Sequence, residues 1–298
     1  LAAAITLARA GRRMLVREAE ETIGGGVRSA ELTLPGFVHD VCSSIHPFVP
    51  GSPFFRALPL GEHGLEIVHP PSALAHPLDD GSAVLVHRSV EETVAGLGED
   101  GEAYRRLVGS VAAAWADLEQ VLLGPLLALP RHPVTLGRFS AHALLPAARI
   151  ARGTFATERA RALFAGCAAH SMMPLERSPT AAFGLVLLAA AHVFDWAFPR
   201  GGSQRIADAL VSVLRELGGE VAADAAVDST DELEATTVLC DVVPRELVRI
   251  AGSQLPRRAS LAFRTGPAPS RWISHSTGQF RGRRRNALER GRCTWAGR

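Results

Sequence analysis

Glu18, the three consecutive glycines Gly24–Gly26 and Arg28 are the residues whose types and spacing first point to chemistry. An acid at the end of a short apolar strand can accept hydrogen bonds from ribose hydroxyls. Glycines shortly after it let the main chain approach a diphosphate where a Cβ would collide. The elements that must position these residues are legible just upstream. Leu1–Ala10 is an alanine-rich helix with Leu1 and Ile5 one turn apart, and Gly11 ends it, as a residue free to take positive φ would. Arg13–Arg17 follows as a strand centred on Met14, Leu15 and Val16. Helix, glycine, strand, acid is the second half of a dinucleotide-binding βαβ unit. The first half, with its G-x-G-x-x-G fingerprint, is not in the sequence. The acid of such a unit stands about 20 residues beyond the first glycines, so Glu18 fits a fingerprint lying immediately before Leu1. Residue 1 is read as a truncation point. On the residues alone, an ordinary α/β strand with an acid at its edge stays open beside this reading.

Other chemistry finds little support. His39, Asp40 and His46 could suggest a metal site, but two histidines seven apart with no third ligand at a recognised spacing make none expected. No hydrolytic triad or paired-carboxylate arrangement stands out. His170 and His192 lie in apolar helical surroundings and read as satisfied core or cavity-wall residues. Cys42, Cys167, Cys240 and Cys293 are far apart with no C-x-x-C pair, which points to a reducing, cytoplasmic setting rather than a disulfide framework. The most apolar run, Ala181–Phe194, is short for a membrane span and contains His192, so it reads as a buried or membrane-leaning helix.

In chain order, Ser29–Leu34 is extended, Pro35-Gly36 is a turn, and Phe37–Phe55 is loop-like. Leu65–His69 and Ala83–His87 read as two strands joined through Pro70–Ser82, with Asp79-Asp80-Gly81 as a tight turn. Ser89 and Glu92 form a capping box. Helical patterns then run over Glu102–Leu129, broken near Gly124-Pro125, and over Leu136–Ile150, Thr157–Ala169 and Thr180–Val193. Phe198–Gly202 leads into an amphipathic helix at Ser203–Leu217. Gly218-Gly219 ends that helix, and strands are expected at Glu220–Val227 and Thr237–Cys240. Nucleotide-domain grammar therefore appears at both ends, with a mostly helical block inserted between them.

The stretches LAAAITLARAGRRMLVREAEETIGGGVRSAELTLPGFVHDV, FPRGGSQRIADAL and LGGEV together resemble the phytoene dehydrogenase-like branch of FAD-dependent oxidoreductases, related to carotenoid desaturases and amine oxidases. The likeness covers roughly Leu1–Pro256. It implies an α/β fold: an incomplete, amine-oxidase-like Rossmann FAD domain formed by residues 1–36 and 198–256, with a helical substrate domain at 37–197. In that family Glu18 would hold the adenosine ribose, Gly24 and Gly25 would face the diphosphate, and Arg28 would sit near the diphosphate or flavin. Gly201, Gly202 and Ser203 would return the chain toward the flavin, and Val227 would contact adenine through its backbone. The implied activity is hydride transfer from an apolar small-molecule substrate, drawn from a membrane surface by peripheral contact, to FAD. A non-catalytic flavoprotein-like scaffold or regulatory protein is the alternative. Oligomeric state is not legible.

All 32 basic residues are arginine. Residues 257–298 hold 11 of them against the single acid Glu289, a net +10, leaving 21 arginines and 29 acids, net −8, in the rest. The tail reads as translation in a shifted frame. GRCTWAG at Gly291–Gly297 has a codon choice whose neighbouring frame gives AVHLGG, which is family-like. Arg281–Arg285 could otherwise serve as a basic arm, but no aromatic interleaving or binding fold accompanies it, so no nucleic-acid partner is expected. A chain lacking the fingerprint strand and the family's carboxy-terminal flavin segment is expected to bind FAD poorly or not at all.

Overall fold

The computed structural model describes residues 1–124, 129–251 and 255, so the basic tail at 257–298 lies outside the described residues. The chain divides into two compact units. The first contains Leu1–Ser43, Leu60–Leu65 and the described residues from Gly201 onward; the second contains Ser44–Pro59 and Glu66–Arg200.

In the first unit, the Ala2–Arg9 helix buries Ala4, Ile5 and Ala8. Gly11, at φ 76°, takes the left-handed position that closes it. Strand Leu15–Arg17 pairs in parallel with Glu220–Ala222, Val16 opposite Val221. Bonds from the Glu220 N–H to the Met14 carbonyl (2.8 Å) and from the Glu18 N–H to the Ala222 carbonyl (2.9 Å) extend that pairing at both ends. The Gln204–Glu216 helix feeds the second strand and packs on Ala2–Arg9. Ile206, Ala207, Leu210, Val213 and Leu214 form its buried stripe, as the amphipathic pattern predicts. Pro35-Gly36 turns the chain between strands Ser29–Glu31 and Val38–Asp40, which pair antiparallel.

The second unit is mostly helical. Thr180–Val193 has the bounds the sequence predicts, and it packs against Pro133–Ala143, Ala147–Thr154, Glu158–Ala168 and Ser110–Ala113. Leu185, Leu188, Phe164, Leu163 and Val108 are fully enclosed in the resulting core. Gly184 admits the close approach: a Cβ there would lie 3.1 Å from the Phe164 ring. Ser89 accepts the Glu92 N–H at 3.3 Å, capping Val90–Leu97 as expected. Asp100, 3% exposed, clasps the start of the Glu158–Ala168 helix. It accepts the N–H groups of Ala156 and Thr157, each at 2.7 Å, and the Thr157 hydroxyl.

Several expectations are corrected. Ala83–Val86 pairs with Leu74–Pro77 across the Asp79-Asp80-Gly81 turn, and Ile67–Val68 pairs instead with Phe198–Pro199. The Phe37–Phe55 stretch is not a uniform loop, since Val38–Asp40 is drawn into a strand and Phe48–Gly51 and Pro53–Arg56 are short helices. The Glu102–Leu129 run contains a π-helical turn at Arg105–Gly109 and ends its described helix at Leu122. The second strand stops at Ala222 because Asp224, at φ 49°, turns the chain. Thr237–Cys240 is not a strand. Its β-favouring side chains have no partner edge among the described residues, and Val238 and Leu239 are exposed. Pro244–Ala251, which the sequence reading leaves unassigned, is a helix with proline at its first position.

Candidate nucleotide site

Glu18 stands one residue past the Leu15–Arg17 strand, half-buried, with its main chain committed to the sheet. Its carbonyl accepts the Ala225 N–H at 2.8 Å, and its Oε1 accepts the Glu20 N–H at 3.2 Å. That bond fixes the carboxylate at the C-terminal edge of the strand, where ligands gather in open α/β sheets.

The glycines behind it divide into two roles. Gly24 has φ 134°, and a Cβ on it would come within 3.0 Å of Ala207 and 3.3 Å of Val27, so its backbone is pressed on the Gln204–Glu216 helix. Gly25 has φ 54° and nothing within 4 Å of where a Cβ would sit. It is the glycine whose surroundings leave room for a ligand's phosphates. Arg28 braces this loop. Its Nε donates to the Gly25 carbonyl at 3.0 Å, and its Nη1 lies 3.5 Å from Glu20 Oε2. Glu18, Gly24, Gly25 and Arg28 thus share one short loop with its own internal bonds.

Gly202 and Ser203 reach the same neighbourhood through residues that sequence reasoning missed. The Ser203 N–H donates to Asp40 Oδ1 at 2.7 Å, and Ser29 Oγ donates to the same oxygen at 2.7 Å while accepting the Gln204 N–H at 3.0 Å. Asp40 and Ser29 therefore cap the Gln204–Glu216 helix from 163 and 175 residues away. A carboxylate at that N-terminus satisfies the orphan N–H groups and complements the helix dipole. Ser203 is fully buried, and Gly202, at φ 97°, is so close to the strand pair that a Cβ would lie 2.6 Å from Ser29 Oγ. The surroundings of both are protein. Gly201 is exposed, at φ 82°. No sequence pattern could have exposed this capping, because the acid and the helix it caps are far apart in the chain.

Gln204 also ties the helix to the glycine loop. Its Nε2 donates to the Ile23 carbonyl at 2.7 Å and to Asp208 at 3.1 Å. Its buried Oε1 has no hydrogen-bond partner among the described residues. Beside it lies a depression of about 490 Å³ reached by Glu21, Thr22, Asp208, Ser212 and Arg215. Glu18, Gly24, Gly25 and Arg28 do not line that depression. The half-buried Glu18 carboxylate and the open positive-φ Gly25 are the features that suit a hydroxyl-bearing dinucleotide.

Val227 lies beyond the strand in which it is expected, because the chain turns at Asp224. Its carbonyl accepts Arg249 Nη2 at 3.2 Å, while Arg17 holds the carbonyls of Ala225 and Ala226 at 3.2 and 2.8 Å. The segment is thereby fixed beside Glu18 by two arginines. His39 Nε2 bonds Thr33 Oγ1 at 2.7 Å, and Asp40 is used as a cap. No group of three or more metal-binding side chains occurs among the described residues.

Residues 1–58 match the NAD(P)-binding Rossmann-like domain family. The fold is Rossmann-like α/β. Among solved structures, wild-type putrescine oxidase bound to putrescine is 20% identical with a TM-score of 0.54, over 87% of this chain and 60% of that one. A putrescine oxidase variant from a redesign of cofactor binding is 21% identical, with a TM-score of 0.53 over 87% and 59%. A structural-genomics protein from Pyrococcus furiosus is 16% identical, with a TM-score of 0.51 over 89% and 62%. At these identities the likeness is one of fold. The chain spans about three fifths of the length of the structures it matches. No curated protein sequence matches. No helix among the described residues is long and apolar enough to cross a membrane.

Proposed function

We propose that this chain belongs to a flavin-dependent oxidoreductase of the desaturase or dehydrogenase type, with FAD as cofactor and an apolar molecule as hydride donor. The observation that carries the reading is the loop after the first strand, where Glu18 is fixed at the strand edge and Gly25 is open at positive φ, braced by Arg28. Bound FAD would supply the hydride-accepting ring.

The chain's own residues do the holding. Glu18 accepts from the ribose hydroxyls, since a carboxylate can only accept and a ribose diol can only satisfy it by donating. Gly25 lets the main chain come close to the diphosphate, and the Arg28 bond to its carbonyl keeps that approach from collapsing. The Asp40–Ser29 cap already occupies the Gln204–Glu216 helix N-terminus, so that helix serves as a packed support for Gly24 and not as a phosphate cradle. The greasy substrate and the contact with a membrane surface are what the family resemblance implies for the helical unit. Resemblance to phytoene dehydrogenase-like enzymes supports the same assignment.

This chain is expected to bind FAD weakly through the Glu18–Arg28 loop. Competition of FAD against ADP and FMN, followed by equilibrium dialysis, tests the reading. Displacement of FAD by FMN but not by ADP would overturn it, because the assigned residues face the adenosine half.

A further inference from the structure

A second site lies wholly within the helical unit, independent of the flavin reading. A cavity of about 640 Å³ opens between four of its helical segments, a volume in the range of roughly 300–1,000 Å³ usual for small-molecule pockets. Its floor is apolar: Leu107, Val111, Leu118, Phe139 and Leu185, all buried. The rim carries Arg106, Arg138 and His142, with hydroxyls from Ser110, Thr135 and Thr154, and no acid lines it.

The charges at this rim are not all used internally. Arg106 lies 3.4 Å from Glu102, and Asp117, just outside the lining, accepts the Thr135 hydroxyl at 3.2 Å and faces His132 at 3.7 Å. The Arg138 guanidinium has no ion-pair or hydrogen-bond partner among the described residues. The wall that supplies Arg106 and Leu107 is the π-helical turn Arg105–Gly109. Such turns are rare and recur at functional sites, where they redirect side chains that a regular helix would carry elsewhere.

We propose that this cavity binds an amphipathic monoanion, a free single-chain fatty carboxylate, with its chain on the Leu107–Leu185 floor and its head on Arg138. An apolar floor beneath an unpaired guanidinium selects for a molecule with both parts. A neutral chain leaves the arginine unmatched, and a small anion leaves the floor wet. The carboxylate accepts from the planar guanidinium fork, with the rim hydroxyls within the same opening.

The test is calorimetric titration of the full chain with sodium dodecanoate and with dodecanol, below micelle formation, against two variants. Arg138→Gln removes the charge at an exposed position. Gly153→Leu projects a side chain at the cavity lining, where a Cβ meets nothing within 4 Å and the backbone is helical, so it fills space without strain. Dodecanoate is expected to bind one-to-one and about tenfold tighter than dodecanol, the value of one charge-assisted bond at a partly exposed site. Arg138→Gln should erase that preference by weakening dodecanoate alone, and added salt should do the same. Gly153→Leu should weaken binding of both about tenfold without lowering the thermal midpoint. Equal binding of acid and alcohol, an unchanged dodecanoate affinity in Arg138→Gln, or affinities that Gly153→Leu leaves unchanged would each overturn the proposal. So would sedimentation with anionic phosphatidylglycerol vesicles in the absence of any dodecanoate binding, which would place the surface with lipid headgroups instead.

Discussion

Gly202→Ala is the most informative single change in the nucleotide unit. Its φ of 97° lies where an L-residue is strained, at a cost of about 1–3 kcal/mol. The new Cβ would lie 2.6 Å from Ser29 Oγ and 3.0 Å from Ser29 Cβ, so Ser29 must move. Moving it breaks the bond to Asp40 and the bond from the Gln204 N–H, each worth about 1 kcal/mol net. The sum is about 3–5 kcal/mol, a large share of a typical stability of roughly 5–15 kcal/mol. Urea denaturation followed by far-UV circular dichroism, with hydrogen exchange on the Gln204–Glu216 amides, would locate the loss. Ser29→Ala removes the 2.6 Å hydroxyl contact but keeps the Cβ at 3.0 Å, so in that background Gly202→Ala should cost the backbone strain plus that residual contact, leaving a coupling of about 1–2 kcal/mol. A cost below about 1 kcal/mol, or strict additivity of the two changes, would refute the capping arrangement.

Asp100→Ala should destabilise the helical unit by about 3 kcal/mol, because the N–H groups of Ala156 and Thr157 lose their buried acceptor; a chemical-denaturation midpoint within error of the parent would contradict this. Burial holds the His76, His170 and His192 rings below the ordinary histidine range, so they favour the neutral form when folded. The unfolded chain takes up these protons near pH 6.5, so stability is complete above that value and falls as pH drops below it. The slope reaches at most about 1.4 kcal/mol per histidine per pH unit, and urea midpoints flat between pH 7.5 and 5.5 would refute it. At His192 the geometry agrees. Nδ1–H donates to the Arg88 carbonyl at 3.2 Å and Nε2 accepts the Tyr104 hydroxyl at 2.8 Å, so Tyr104→Phe should cost about 1–2 kcal/mol.

Local signals carried much of this architecture. The Thr180–Val193 helix is announced by its unbroken apolar run, the Val90–Leu97 start by Ser89, and the strand exchange by Pro35-Gly36. His192 reads from sequence as a satisfied core residue, and its Tyr104 bond makes it one. What stayed hidden depends on partners distant in the chain. Ile67–Val68 gives no hint that Phe198–Pro199 is its mate, and Thr237–Cys240 has strand propensity with no edge to join. In the candidate site, the acid and glycines can be read from spacing, but the division of labour between Gly24 and Gly25 follows from the nearness of Ala207, which only the folded chain displays. Asp40 reads as one of three residues of a weak metal set with His39 and His46, and is a helix cap.

The central claim is that Glu18 and the Gly25 loop receive the adenosine half of FAD. Titration of the 298-residue chain and its Glu18→Gln variant with FAD, read by flavin fluorescence, tests it most directly. The account predicts saturable binding in the high-micromolar range, about −5 kcal/mol, weakened roughly tenfold in Glu18→Gln by loss of charge-assisted acceptance. Stoichiometric, tight uptake of FAD, or an affinity that Glu18→Gln leaves unchanged, would contradict it.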